Sequence, residues 1–338
     1  MSACLVPLHH FQVVAHNKDG WFLLGSSALT GKIWDGRLSV FSDYDDYLQC
    51  PNLEMISCDT QSGVNDALWL SDEGCLVAGT DSGCLKVYRL KQKTVDDAET
   101  HVQAHDDVIV GVALLAGGNE TIVSVGLDSK VVISSIRQER VLHTYRGHSD
   151  AVLAVVSHPT SESIFITSSR DGCIRLWDTR KPRPASNLES HVGMCTSLAW
   201  SSSNKDKIAT GCQNGRVCIT DWRKWSENQS CLQKFQLHKR DVTKLAFAPW
   251  NCNVVASASE DTSVKVFSVT TESTIYSSSQ HTDYVYGISW HPSKPCLLSC
   301  GWDSQLLLHH VTTDKPSAGT TVSMETSENC AVFKDHEQ

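Results

Sequence analysis

Residues 147–178 read GHSDAVLAVVSHPTSESIFITSSRDGCIRLWD, and this stretch decides the fold. It opens on Gly147-His148 and closes on Trp177-Asp178. Ala151 to Val156, Ile164 to Ser168 and Ile174 to Trp177 are rich in Val, Ile, Thr and Ser, which favours strands over helices. The tripeptide Arg170-Asp171-Gly172 supplies the turn between the last two. Gly-His near the start and Trp-Asp near the end of a unit of about 40 to 45 residues is the signature of a four-stranded propeller blade.

The unit recurs along the chain. His105 is followed by Asp128, His148 by Asp171, His191 by Asn214, His238 by Asp261 and His281 by Asp303. The separation is 23 residues in the first four pairs and 22 in the fifth, and the histidines recur at intervals of 43, 43, 47 and 43. Spacing this regular marks a structural repeat, not a catalytic site. A buried imidazole and a buried carboxylate satisfy each other where water is excluded, and either one left alone would cost roughly 1–3 kcal/mol. Each pair is therefore expected to tie the loop entering a blade to the turn two strands later.

Two more copies lie upstream without the histidine. Val64 to Trp69, Cys75 to Gly79 and Cys84 to Tyr88 surround a turn at Asp81-Ser82-Gly83. Before them, Trp21 to Gly25 and Arg37 to Phe41 flank Trp34-Asp35-Gly36, read as another turn. The expected fold is all-β, a seven-bladed WD-repeat β-propeller over residues 19–311, with 1–18 as an N-terminal segment and 312–338 as a C-terminal tail. Seven blades use nearly the whole chain, so no second domain of ordinary size remains. One terminal segment is expected to complete a blade begun by the other, which removes an exposed sheet edge. Phe11 to Ala15 and Cys330 to Phe333 are both candidates for that closing strand.

Composition narrows the function. The formal charge is −9, with 29 basic against 38 acidic residues, which argues against a role built on phosphate-backbone contacts with nucleic acid. Basic partners are electrostatically easier, and acidic groups concentrate at Asp43, Asp45 and Asp46 and at Asp96, Asp97 and Glu99, in stretches read as connections between blades. The 14 cysteines lie mostly within expected strands, such as Cys173, Cys218 and Cys300, without compact paired spacing. With no secretory leader in residues 1–10 and no apolar run long enough to span a bilayer, they read as small core residues of a reduced, intracellular protein. Cys296 and Cys300, positions four apart on a strand, would stand about 13 Å from one another, too far to share an ion with His291. No metal, no cofactor and no catalytic residue is expected: glycine-rich phosphate loops, nucleophile elbows and paired-histidine motifs are all missing from the sequence. The run Arg180-Lys181-Pro182-Arg183-Pro184 is short and Pro-stiffened, and reads as an inter-blade connection.

The loops entering each blade and the turns between second and third strands should emerge on one face. Residues before the turn acids would line it: Trp34, Leu127, Arg170, Gln213, Glu260 and Trp302. Trp34 and Trp302, read at one structural offset in the first and last blades, are expected to be neighbours once the ring closes. Tyr284, in His281-Thr282-Asp283-Tyr284, should join them in an exposed aromatic patch, a kind of surface that marks interaction sites. Residues 26–36 read as a long second-to-third connection tipped by Lys32, Ile33 and Trp34, a protruding apolar knob.

At Leu23 to Gly36, at Gly301-Trp302-Asp303-Ser304-Gln305 running into His309-His310-Val311, and at Leu176-Trp177-Asp178-Thr179-Arg180 followed by Lys181-Pro182 and Ala185-Ser186, the chain resembles the methylosome protein 50 family. These are the WD-repeat partners of the type II protein arginine methyltransferase, and the similarity runs from about Asp19 to Val311. The resemblance implies a non-catalytic subunit of a hetero-oligomer. Its first-blade loop would dock on the amino-terminal barrel domain of the enzyme, with Trp34 entering a pocket there and Tyr284 contributing from the last blade. S-adenosylmethionine would belong to the partner, and the substrates of the complex would be histone and Sm-protein tails. Cytoplasmic and nuclear localisation, with no membrane, follows from the same likeness. The second reading is a peptide-recognition propeller, for example the substrate receptor of a ubiquitin ligase, using the central pocket with Arg170 and Glu260.

Overall fold

Strands built from Val, Ile, Ala and Ser can bury both faces, and in the computed structural model seven sheets do so by standing face to face around a ring. The structure describes residues 10–30, 33–49, 56–70, 74–91, 94–95, 100–117, 120–189, 193–227 and 231–311. From the axis outward, blade 1 comprises His10–His16, Phe22–Thr30, Ile33–Phe41 and Ile56–Asp59. Blade 2 comprises Val64–Trp69, Cys75–Thr80, Cys84–Lys91 and Thr100–Gln103, with Thr94–Val95 folded back on the third strand. Blade 3 follows with Ile109–Leu114, Thr121–Gly126, Val131–Ser135 and Arg140–Tyr145, and blade 4 with Val152–Ser157, Ile164–Ser169, Cys173–Asp178 and Ser186–Glu189. Blade 5 is Cys195–Trp200, Lys207–Cys212, Arg216–Asp221 and Cys231–Gln236; blade 6 is Val242–Ala248, Asn251–Ser259, Val264–Ser268 and Ser273–Ser278. Among the described residues blade 7 has three strands, Val285–Trp290, Cys296–Gly301 and Leu306–His310.

The first strands of successive blades touch one another in a closed circuit, so the ring is complete. Its core divides into seven apolar clusters, one at each junction of neighbouring blades. Leu115, Val123 and Tyr145 of blade 3, for example, meet Val152, Phe165 and Trp177 of blade 4. No blade can bury its faces alone, which is why the ring must close.

Of the two candidates for the closing strand, the first belongs to blade 1 and does not complete blade 7. Phe11 to Ala15 lies within His10–His16, the innermost strand of blade 1, paired antiparallel with Phe22–Thr30 and packed against Val285–Trp290 of blade 7. The described propeller strands therefore include one that precedes Asp19. Cys330 to Phe333 lies outside the described residues. A second device reinforces the junction. Asp43 and Asp45 belong to a turn and short helix, Tyr44–Gln49, inserted between the third and fourth strands of blade 1, not between blades. Tyr47 is buried there beside Phe41, Leu298, Cys300 and Leu306, and the Tyr44 hydroxyl donates to the Leu306 carbonyl at 3.2 Å. The other acidic stretch, 96–99, lies outside the described residues.

Two loop assignments also change. Residues 26–36 are not an irregular connection: Phe22–Thr30 and Ile33–Phe41 form one ladder in register from Phe22↔Phe41 to Thr30↔Ile33. Trp34-Asp35-Gly36 is strand, not turn. Gly36 is required for another reason, since a Cβ there would lie 2.2 Å from the Ser62 carbonyl and 2.4 Å from Thr60 Oγ1. Likewise Arg180 to Pro184 joins the third and fourth strands within blade 4, not one blade to the next.

Candidate functional site

The site is organised by the loop face, and the histidine–aspartate pairs build that face. His105 Nδ1 lies 2.8 Å from Asp128, His148 Nδ1 2.9 Å from Asp171, His238 Nδ1 3.1 Å from Asp261 and His281 Nδ1 2.8 Å from Asp303. His191 lies outside the described residues; its expected partner Asn214 accepts the Arg216 amide at 3.2 Å. The aspartates make the same Asx turn, accepting amides from Lys130, Cys173, Ser263 and Gln305. Burial raises their carboxyl pKa values, but the histidine and backbone hydrogen bonds outweigh it and hold all four below the usual value of 3.8. The four described pairs join the loop entering a blade to the turn between its second and third strands. A third member was not foreseen: each imidazole's Nε2 meets a hydroxyl on the second strand, Ser124, Thr167, Ser257 or Ser299.

On this face Tyr284 and Trp302 do come together, with ring centroids 5.7 Å apart. Trp302 is half-buried, stacked on Tyr286 at 5.0 Å and tilted against His10 of blade 1 at 5.2 Å. His10 Nδ1 also lies 3.0 Å from the Trp302 carbonyl, so the tryptophan straddles the junction of blades 7 and 1. Its indole Nε1 is buried with no hydrogen-bond acceptor among the described residues. Arg240 places its guanidinium 5.1 Å from the Tyr284 ring centre and 3.8 Å from Glu260. Burial and the charge of Asp241 raise the Glu260 pKa, and burial raises that of Asp241 itself. Tyr286, His10 and Arg240 were missed from sequence. Tyr286 was legible, since two residues beyond Tyr284 on a strand is the same face.

Trp34 does not share the offset of Trp302. Both first strands bulge after one pair, Phe11↔Ser26 in blade 1 and Val285↔Gly301 in blade 7, so the counterpart of Trp302 is Ser27, which is buried. The blade-1 hairpin runs on for three further rungs, Ala28↔Asp35, Leu29↔Trp34 and Thr30↔Ile33. At about 3.3 Å per residue this carries Ile33 and Trp34 roughly 10 Å beyond the level at which other blades turn. Lys32 lies outside the described residues. The base of the extension is gripped by the next connection, where the Thr60 amide donates to the Gly36 carbonyl at 2.8 Å. Of the remaining face residues, Arg170 and Gln213 are exposed and Leu127 marginally so, while Glu260 is half-buried.

One ion pair spans the inner face of the ring. Lys244 of blade 6 reaches Asp66 of blade 2 at 3.1 Å, and Asp66 also accepts the Val112 amide at 3.0 Å. Blades 2 and 6 are not neighbours, so this pair crosses the axis. Cys195 and Cys212 bring their sulfurs to 3.8 Å, and no cluster of three metal-ligating side chains occurs among the described residues.

Comparison with known proteins fits this geometry. The family model for the WD domain, G-beta repeat, matches residues 139–178, 182–221, 229–268 and 272–310. The first of these spans runs from the outer strand of blade 3 to the third strand of blade 4, so the sequence repeat is offset from the structural blade. Methylosome protein WDR77 of Xenopus laevis is 31% identical over 317 residues, covering 92% of this chain and 91% of that protein. Protein valois of Drosophila melanogaster is 25% identical over 228 residues, 62% of each chain. The ribosome biogenesis protein WDR12 homolog of Nematostella vectensis is 30% identical over 169 residues, half of this chain and 39% of that protein.

Proposed function

The chain belongs to the methylosome WD-repeat protein family, and from that premise we propose that it is a non-catalytic scaffold and substrate adaptor. It docks on a type II protein arginine methyltransferase and presents histone or Sm-protein tails for symmetric arginine dimethylation. The observation that carries this reading is the blade-1 hairpin. A regular ladder extended past the loop face, with Ile33 and Trp34 at its end, is a rigid way to project an apolar anchor. Beside it, the Tyr284–Trp302–Tyr286 cluster offers a half-buried aromatic floor with a spare indole donor.

An adaptor of this kind raises the local concentration of substrate without chemistry of its own. The formal charge of −9 favours encounter with arginine-rich tails. The ion pair from Lys244 to Asp66 weighs against the ligase-receptor reading, because a peptide in the central channel would have to displace it. Work in both cytoplasm and nucleus is part of the same proposal.

The test is size-exclusion chromatography with light scattering on the chain mixed with its methyltransferase. The wild type should co-elute as a large complex. Trp34→Ala should stay folded and lose about 2 kcal/mol or more of binding, roughly thirtyfold in Kd. Separate elution of the folded wild type would overturn the proposal, and unchanged binding by Trp34→Ala would remove that residue's role.

A further inference from the structure

Far from the docking cluster, between the outer strands of blades 3 and 4, lies a cavity of about 270 Å³ lined by Tyr145, Arg146, Arg175, Trp177, Arg183 and Asn187, with Gly147, Pro182 and Pro184 at its edge. We propose that this cavity binds a phosphorylated serine or threonine side chain of a peptide. The site stands independently of the methyltransferase reading.

Three arginines line it in a chain of net charge −9. Arg146 and Arg183 are exposed and make no ion pair with any described residue. Arg175 forms the floor. It is held by the Gly147 carbonyl, by Asn187 Oδ1 at 3.2 Å through Nε and by Asp171 at 3.2 Å through Nη1, while Nη2 takes no part in these contacts. Asp171 stays ionised beside the neutral His148 and compensates Arg175, so the uncompensated positive charge at the cavity is that of Arg146 and Arg183. A dianionic phosphate with three acceptor oxygens suits such an arrangement better than a single carboxylate.

The walls indicate what carries the phosphate. Trp177 and Tyr145 back the cavity as almost fully buried rings, their centroids 4.9 Å apart, and the Tyr145 hydroxyl donates to the Thr179 carbonyl at 3.4 Å, fixing one blade to the next. Gly147 lets the backbone close over the indole, since a Cβ there would meet the Trp177 ring at 2.7 Å. Pro182 and Pro184 hold Arg183 on a stiff rim. About 270 Å³ is the size of one side chain rather than of a nucleotide or a cofactor, and the apolar edge suits a flanking peptide backbone.

Fluorescence polarisation tests this with a labelled glycine–serine peptide carrying one central phosphoserine, alongside its unphosphorylated twin, inorganic phosphate and a single-stranded RNA. The phosphopeptide should bind roughly tenfold more tightly than its twin, and the double variant R146A/R183A should lose about that factor. Neither arginine supports the fold, so melting temperature should not move; R183A alone, on an exposed loop, should show part of the loss. Equal binding of the two peptides, or unchanged affinity in the double variant, overturns the proposal. Competition by inorganic phosphate or RNA at lower concentrations than the phosphopeptide requires would overturn the peptide assignment.

Discussion

At Thr167 one hydroxyl serves two buried rings: His148 Nε2 at 2.7 Å and the Trp177 indole Nε1 at 2.8 Å. Burial pulls the His148 pKa down while Asp171 pushes it up, and burial wins, so the imidazole is neutral and its two nitrogens need one donor and one acceptor. Replacing Thr167 with Val keeps the shape but orphans both rings. The expected cost is about 2–3 kcal/mol, against about 1 kcal/mol for Ser124→Ala, where only His105 Nε2 loses its partner. Urea unfolding of the two variants measures the difference, and equal losses would mean that the indole bond contributes nothing. The histidines and aspartates of these networks were legible because their separation is fixed and their residue types are uncommon. The hydroxyl was not, because serines and threonines abound in these strands: Ser168 and Ser169 follow Thr167 directly, and which of three adjacent hydroxyls faces the imidazole depends on strand register.

The blade-1 hairpin and the inserted helix are the elements that make this propeller more than a generic ring. Cutting the hairpin back by joining Ala28 to Asp35 through Asn-Gly, a pair suited to tight hairpin turns, should leave the seven junctions intact and abolish partner binding. Loss of the folded signal in circular dichroism would show instead that the extension stabilises blade 1. Tyr47→Ala tests the other element. Its ring packs edge-on to Phe41 at 5.4 Å and covers Leu298 and Leu306 of blade 7, so truncation should cost about 3 kcal/mol, as for other buried aromatics. A thermal shift no larger than that of an exposed substitution would deny the helix a part in closure. Sequence reading found seven repeats but mistook the hairpin for a loop. Trp34-Asp35-Gly36 has the composition of a turn, while the demand for glycine comes from the carbonyl of Ser62, a contact between segments that local sequence does not express. Closure by His10–His16 was hidden for a related reason, since an inner strand of blade 1 and an outer strand of blade 7 look alike in isolation.

Across the whole ring, acid should act first at the junction where the termini of the propeller meet. His16 of blade 1 and His291 of blade 7 stand 5.5 Å apart, with Ser289 bonded to His16 Nδ1 at 2.9 Å and Asp43 and Lys294 alongside. Burial, then the neighbouring His291, lowers the His16 pKa from 6.5 to about 4, and burial with Lys294 lowers that of His291. Asp43 opposes both shifts without reversing them. His16 is therefore neutral in the closed ring near pH 6 and His291 is held toward its neutral form, whereas an opened junction lets both take up protons below 6.5. The open state then binds more protons than the closed one, so the free energy of opening falls as pH falls, by up to about 1.4 kcal/mol per pH unit for each histidine. The loop-face aspartates add a loss of the same sign only lower, as pH drops through their unfolded value near 3.8, because their folded values lie beneath it. Between pH 7 and 5 the buried imidazoles His148, His158 and His309 add a loss of the same sign at their own positions, while the junction of blades 5 and 6 gains none from a paired histidine. Hydrogen exchange, corrected for its intrinsic pH dependence, should show His10–His16 and Val285–Trp290 losing protection faster than Val242–Ala248 at the junction of blades 5 and 6, which has no such histidine pair. His16→Asn should abolish about half of that difference, since one of the two proton acceptors is gone. Uniform loss of protection around the ring would place the acid response elsewhere and leave closure at blades 7 and 1 no weaker than any other junction.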